Sequence, residues 1–243
     1  MTARAGLIIP SSNRMVEQEM TAAFPAGVQP HVTRLRMTGP NRGPLATILP
    51  RVEDATRALT DARCQVVAFH CTANSMDEGR DGEERILAAM TRAGAPCATT
   101  TATAIRRAFA ALGARRIVLI TPYDQRTTDH EAEFLHEAGF AVLHAVGYAL
   151  NGSDAYCATP SAFWRDRVLE AARPDADVYF VSCANISVFN VIAELERQLD
   201  RPVVTSNQAV VWDCVCQLGG PERGAGPGRL FERGRTAEPA QAT

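Results

Sequence analysis

One interval constrains this chain more than any other feature. Cys71 follows the apolar run Val66–Val67–Ala68–Phe69 and His70, and Cys183 follows Val178–Tyr179–Phe180–Val181 and Ser182. The two cysteines lie 112 residues apart, and Leu7–Ile8–Ile9–Pro10 returns at the same interval as Leu119–Ile120–Thr121–Pro122. Two features repeating at one offset indicate an internal duplication. A duplicated α/β unit places equivalent thiols at two strand ends, on opposite sides of one cleft. That layout suits proton transfer or covalent addition on a small molecule without a cofactor.

Strand-like apolar runs alternate with amphipathic stretches, the pattern of a parallel α/β sheet. Strands are predicted near 5–9, 31–36, 65–70, 96–99, 116–120, 141–146, 177–182 and 202–205. Helices are predicted near 15–23, 51–62, 80–93, 102–112, 128–138, 161–172, 187–199 and 207–218. Gly94, Gly113 and Gly139 stand where helices stop before strands. The halves align element by element, which predicts an α/β fold of two pseudo-two-fold related subdomains, each a short parallel sheet flanked by helices. Residues 1–111 plus 206–243 form the first subdomain and 112–205 the second, with the active-site cleft between them. The segment 220–243, rich in Gly, Pro and Arg, is expected as a surface tail. Ligands in open α/β sheets bind beyond the carboxyl ends of the strands, where both proline loops and both cysteine loops fall.

Composition narrows the chemistry. All 25 basic residues are arginine, so a Schiff base through a protein lysine is excluded, pyridoxal phosphate anchored that way included. A formal net charge of −2 gives no footprint for nucleic acid or an anionic membrane. No apolar run approaches the roughly 20 residues that span a bilayer, and the run before Pro10 is too short for a signal peptide. A cytoplasmic protein of bacterial type is expected, in which the seven cysteines stay reduced. G-x-G-x-x-G, G-x-x-x-x-G-K-[ST] and H-E-x-x-H are all absent from the sequence, so no cofactor and no catalytic metal are expected. The expected partner is a small carboxylate substrate, and self-association is left open.

Free cysteines are usually small buried hydrophobes, and Cys64, Cys97, Cys157, Cys214 and Cys216 are read that way. The one-residue spacing of Cys214 and Cys216 does not suit a metal pair. Cys71 and Cys183 differ because both precede predicted helices, whose N-termini raise the thiolate fraction. Residues 72–75 and 184–187, opening with Thr72 and Ala184, offer backbone N–H groups and the hydroxyls of Thr72, Ser75 and Ser187 to a carboxylate. The alternative reading is plain N-capping by Ser75 or Asn185. Asn13 and Tyr123, in the two proline loops, are neutral donors suited to an oxyanion, or else a turn residue and a rim aromatic. Alternation points His70 to the other sheet face from Cys71, so it is read as a core histidine or one behind the site.

Gly6-Leu-Ile-Ile-Pro-Ser-Ser-Asn13, Arg34-Leu-Arg-Met37, Cys71, Leu112-Gly-Ala-Arg-Arg-Ile117, Thr121-Pro-Tyr123, Asn151, Ser182-Cys183 and Pro202-Val-Val204 together carry a resemblance. Over nearly its whole length the chain resembles the aspartate/glutamate racemase superfamily, in its maleate isomerase and arylmalonate decarboxylase branch. Maleate isomerases are similar at five positions. By that resemblance Cys71 is the nucleophile, Cys183 the partner acid and base, and Asn13, Tyr123 and Asn151 bind substrate carboxylates. Arylmalonate decarboxylases resemble the chain at Cys183, Tyr123 and Thr72, but carry Gly where it has Cys71 and lack the Asn13 and Asn151 equivalents. Thr72-Ala-Asn74 is more polar than the apolar run of typical maleate isomerases and is similar to the Cys-Asn-Thr-Ala loop of amino-acid racemases. Trp212-Asp213 and Gly226-Pro-Gly-Arg-Leu-Phe231 look more like the decarboxylases. The resemblance implies an Asp/Glu racemase-like fold and cofactor-independent isomerisation of a small carboxylate, maleate to fumarate. The alternatives are a two-cysteine racemase of an acidic amino acid or related carbon acid, an arylmalonate-type decarboxylase, and a non-catalytic carboxylate-binding module.

Overall fold

The structure, a computed structural model, describes residues 2–37, 44–219 and 226–233. In chain order its elements are β1 (Ala3–Pro10), α1 (Val16–Ala23), β2 (Val28–Leu35), α2 (Leu45–Asp61), β3 (Val66–Phe69), α3 (Thr72–Met76), α4 (Gly79–Arg92), β4 (Ala98–Thr100) and α5 (Thr101–Leu112). Then follow β5 (Arg116–Thr121), α6 (Gln125–Glu137), β6 (Ala141–Gly147), α7 (Gly152–Ala158), α8 (Ser161–Glu170), β7 (Val178–Val181), α9 (Phe189–Leu199), β8 (Val203–Thr205), α10 (Ser206–Gln217) and a short 3-10 turn (Arg229–Glu232). The eight strands form two four-stranded sheets, in the orders β2-β1-β3-β4 and β6-β5-β7-β8, and every pairing is parallel. The same strand order in both, and a shift of 112 residues that carries β3 onto β7, realise the duplication.

Parallel strands covered on both faces read as continuous apolar runs, and β3 and β7 are buried at every residue. Alternation sorts their side chains into layers. Leu7, Ile9, Val66 and Ala68 of the first sheet and Ile117, Leu119, Val178 and Phe180 of the second enter one shared core with α1, α5 and α10. The outer face of the first sheet, with Ile8, Val67 and Phe69, packs under α2 and α4. The outer face of the second, with Val118, Ile120, Tyr179 and Val181, packs under α8 and α9. Phe109 anchors the shared core with edge-to-face contacts to Phe140 and Phe180, at 5.3 and 5.6 Å between ring centroids.

All eight predicted strands are present, and the helices depart in instructive ways. Helix α2 begins at Leu45 rather than after Pro50; buried Leu45 and Ile48, with the Leu45 N–H on Glu78 Oε1 at 2.9 Å, carry its first turn across a proline that sequence rules treat as a stop. Helices α3 and α7 are not among the predicted ones. The first has five residues, and the second has no buried residue, so neither leaves an apolar period to read. The expected tail is not a tail where it is described, because Leu230 and Phe231 are buried in the shared core and Trp212 Nε1 donates to Arg233 O at 2.8 Å. Its other residues, 220–225 and 234–243, lie outside the described residues. Among the described residues no helix is long and apolar enough to cross a membrane.

Candidate active site

Both cysteines sit one residue past His70 or Ser182, beyond the ends of β3 and β7, yet their surroundings differ. Cys71 is partly exposed, with extended backbone (φ −148°), at the N-cap of α3. Its thiol donates to Asn74 Oδ1 at 3.1 Å. Cys183 is buried, and no helix begins behind it: α9 starts only at Phe189. This corrects the expectation that both thiols are activated by helix N-termini. Burial pushes the Cys183 thiol up to about 12; a hydrogen bond from Tyr123 and the Asn185 N–H at 3.3 Å work against that rise, while the charges of Glu131 and Cys71 add to it. Cys183 is therefore a protonated thiol near neutral pH, close enough to Cys71 to feel its charge. Its backbone φ of 138° lies where side-chain-bearing residues are rarely found, a strained geometry common in functional sites.

Helix α10 joins the two cysteine loops. The Thr205–Gln208 capping box fixes its start. Ser206 Oγ then accepts from the Cys183 N–H at 3.2 Å and from Thr72 Oγ1 at 2.8 Å. Next to it, Asn207 Nδ2 donates to buried Glu19 at 2.9 Å, which turns Asn207 Oδ1 toward His70 Nε2 at 2.9 Å. The His70 proton therefore belongs on Nε2, leaving Nδ1 to accept from Thr101 Oγ1 at 3.0 Å. Glu19 Oε1 accepts from the N–H groups of Val188 and Phe189, at 2.6 and 3.1 Å, beyond the Cys183 loop. Burial lowers His70 to about 4 and raises Glu19. His70 is thus a neutral core histidine that ties the strand end carrying Cys71 to the opposite half.

Asn13 is buried and its amide is used within the protein. Oδ1 accepts from the N–H groups of Met15 and Val16, both at 3.0 Å, and Nδ2 donates to Ala184 O at 2.8 Å, which crosses between the halves. Arg34 Nη1 holds the Asn13 carbonyl at 2.6 Å. Tyr123 is buried between Cys183 and Tyr156 of α7, the two tyrosine rings meeting edge to face at 5.9 Å. Asn151 is exposed at the N-cap of α7, where its side chain makes no capping bond. The backbone before it is laced to the Tyr123 loop, with Ala149 N–H on Tyr123 O and Leu150 N–H on Pro122 O, both at 2.8 Å. The structure thus gathers Cys71, Cys183, Tyr123, Thr72, Ala184 and Asn13, and leaves Asn151 on the rim.

Neither expected N-cap forms. Ser75 Oγ donates to Thr72 O within α3, and Asn185 Oδ1 accepts from Arg14 N–H at 2.8 Å and from Cys157 Sγ at 3.2 Å. Cys64 and Cys214 are buried as expected, whereas Cys97, Cys157 and Cys216 are partly exposed. Sequence reading missed Ser206, Asn74, Glu19 and Asn207. The T-x-x-Q capping box announces Ser206, and the 112-residue interval pairs Glu19 with Glu131, which accepts from Ser182 Oγ at 2.6 Å beside Cys183. Among the described residues no group of three or more His, Cys, Asp and Glu is placed to hold a metal ion.

Two parallel sheets of one strand order, with a cysteine past the third strand of each, define an α/β protein of the Asp/Glu racemase-like fold. The arylmalonate decarboxylase family model matches residues 5–231, and the chain belongs to that family. It is 34% identical over 190 residues to an arylmalonate decarboxylase of Bordetella bronchiseptica, covering 76% of this chain and 78% of that protein. It is 25% identical over 244 residues to a maleate isomerase of Nocardia farcinica, covering 95% and 96%. A solved structure of a cysteine-to-alanine variant of the Pseudomonas putida maleate isomerase with maleate superposes with a TM-score of 0.86 at 25% identity, over 94% of this chain and 97% of that one. A cysteine-to-serine mutant of the Nocardia farcinica maleate cis–trans isomerase with a covalently bound succinylcysteine intermediate shares the fold at 23% identity, with a TM-score of 0.87 over 94% of this chain and 98% of that one.

Proposed function

We propose that the protein is a cofactor-independent cis–trans isomerase of a small dicarboxylate, maleate to fumarate, with Cys71 as nucleophile and Cys183 as acid and base. The observation that carries this reading is the inequality of the two thiols: a partly exposed Cys71 beside a buried, protonated Cys183 held by Tyr123. The Cys71 thiolate adds to one olefinic carbon, and the displaced electron pair takes the Cys183 proton at the other. The product is a succinyl thioether whose former double bond is single and rotates. The Cys183 thiolate then removes a proton from the carbon it protonated, the double bond reforms in the trans arrangement, and the C–S bond breaks to return the Cys71 thiolate. Tyr123, Thr72 and the backbone N–H groups after each cysteine stabilise the carboxylate charge that builds during addition, with Asn151 at the rim and Asn13 bracing Ala184. The succinylcysteine in the cysteine-to-serine mutant of the Nocardia farcinica enzyme is the adduct such a route produces.

Arylmalonate decarboxylation is the second reading, supported by the 34% identity to the Bordetella bronchiseptica enzyme. Assaying maleate, an arylmalonate, aspartate and glutamate side by side separates the possibilities. Fumarate from maleate, abolished by Cys71→Ala in a folded protein, is the expected result. Carbon dioxide from the arylmalonate without any fumarate would overturn it, as would α-deuterium exchange confined to the amino acids.

A further inference from the structure

Asn74 lies three residues after Cys71, within the buried helix α3, and is 5% exposed. Its Oδ1 accepts the Cys71 thiol at 3.1 Å. We propose that Asn74 is a further catalytic residue, whose side-chain amide holds the Cys71 sulfur in both of its protonation states. An amide has an acceptor end and a donor end. With Oδ1 toward sulfur it fixes the thiol; a half-turn about Cβ–Cγ brings an Nδ2–H to the thiolate. A hydrogen bond to the anion is charge-assisted and is the stronger of the two, so the amide favours thiolate on balance. Asn74 does not take the proton, which leaves the partly exposed Cys71 sulfur for water, and it forms no covalent bond. Helix α3 has only five residues, so its macrodipole behind Cys71 is small, and the amide adds a donor beside the helix N-terminus.

For its bearing on turnover this inference rests on Cys71 being the attacking thiol, but its test reads the sulfur directly. The pH midpoint of Cys71 alkylation by iodoacetamide is measured by peptide mapping in the wild type, Asn74→Leu and Asn74→Asp, with circular dichroism establishing that each is folded. The midpoint rises by about half to one pH unit in Asn74→Leu, where the donor is lost. It rises further in Asn74→Asp, whose carboxylate accepts from the thiol and repels the thiolate. Asp has the shape of Asn, so this variant keeps the test decisive where a bulkier leucine is not accommodated. A midpoint at or below that of the wild type in either folded variant overturns the inference. Raised midpoints in a protein that does not turn over maleate leave the role of Asn74 standing and overturn the proposed function instead.

Discussion

His70 makes the stability of the protein depend on pH in a calculable way. Its ring is fully buried and neutral, wedged between Thr101 and Asn207, with its pKa lowered to about 4 by burial against an ordinary 6.5. Between those values the unfolded chain binds a proton that the folded chain refuses, so stability is full above pH 6.5 and falls as pH drops toward 4. At pH 4.5 the unfolded imidazole is almost wholly charged and the folded one mostly neutral. The loss relative to pH 7 is then roughly 2 kcal/mol from this residue alone, since a tenfold difference in proton affinity between the two states is worth about 1.4 kcal/mol. Buried Glu19 has its pKa raised, which acts with the opposite sign as pH falls, so the wild type alone does not isolate the histidine. The comparison that does is urea unfolding of wild type and His70→Gln at pH 7 and pH 4.5. Glutamine cannot titrate, so the variant is less stable than the wild type at pH 7 but should close the gap by about 2 kcal/mol at pH 4.5. A gap between the two proteins that does not change with pH refutes the buried neutral histidine.

Two further substitutions probe how the loops are held. Asn13→Ala removes the acceptor for Met15 and Val16 and leaves the buried Ala184 carbonyl without its donor. A lost cap and an unsatisfied buried carbonyl together cost roughly 3 kcal/mol, which lowers the melting temperature by about 6–12 °C; a change under about 2 °C would show that the amide does not brace the halves. Gly147 ends β6 where a Cβ would lie 2.5 Å from the Tyr123 carbonyl and against Thr128 Oγ1. Gly147→Ala therefore shifts Tyr123 away from Cys183, lowering kcat at least about tenfold and stability by about 1–3 kcal/mol; unchanged kinetics would mean that the Tyr123 position is not critical.

The fold was legible because its information is local and repeated. Eight apolar runs bounded by turn residues mark eight strands, and Cys71 with Cys183 gives the register of the duplication. What stayed hidden depends on which groups meet. Helix α7 buries nothing, so Gly152–Ala158 has no amphipathic period, and Pro50 looks like a helix start because sequence does not show that Leu45 and Ile48 are packed. The matching contexts of the two cysteines suggested two similar thiols. They diverge because five helical residues follow Cys71, whereas an irregular loop follows Cys183 and the buried thiol lacks a helix behind it. Asn13 looked like a free donor, since nothing local announces Ala184, 171 residues away, as its partner. Ser206 serves both halves, through Thr72 and Cys183, from a helix that sequence analysis places beside the first.

The division of roles between the thiols is the central claim, and intact-protein mass spectrometry of two variants incubated with maleate tests it most directly. In Cys183→Ser the hydroxyl is a far poorer acid and base, so Cys71 adds slowly with water as proton source, and the adduct accumulates because its reversal lacks a base. The account predicts a mass increase equal to one maleic acid, mapped to the peptide carrying Cys71, and no adduct in Cys71→Ser. An adduct on Cys183 in the Cys71→Ser protein would reverse the roles, and the absence of any adduct in both folded variants would contradict covalent catalysis by this pair.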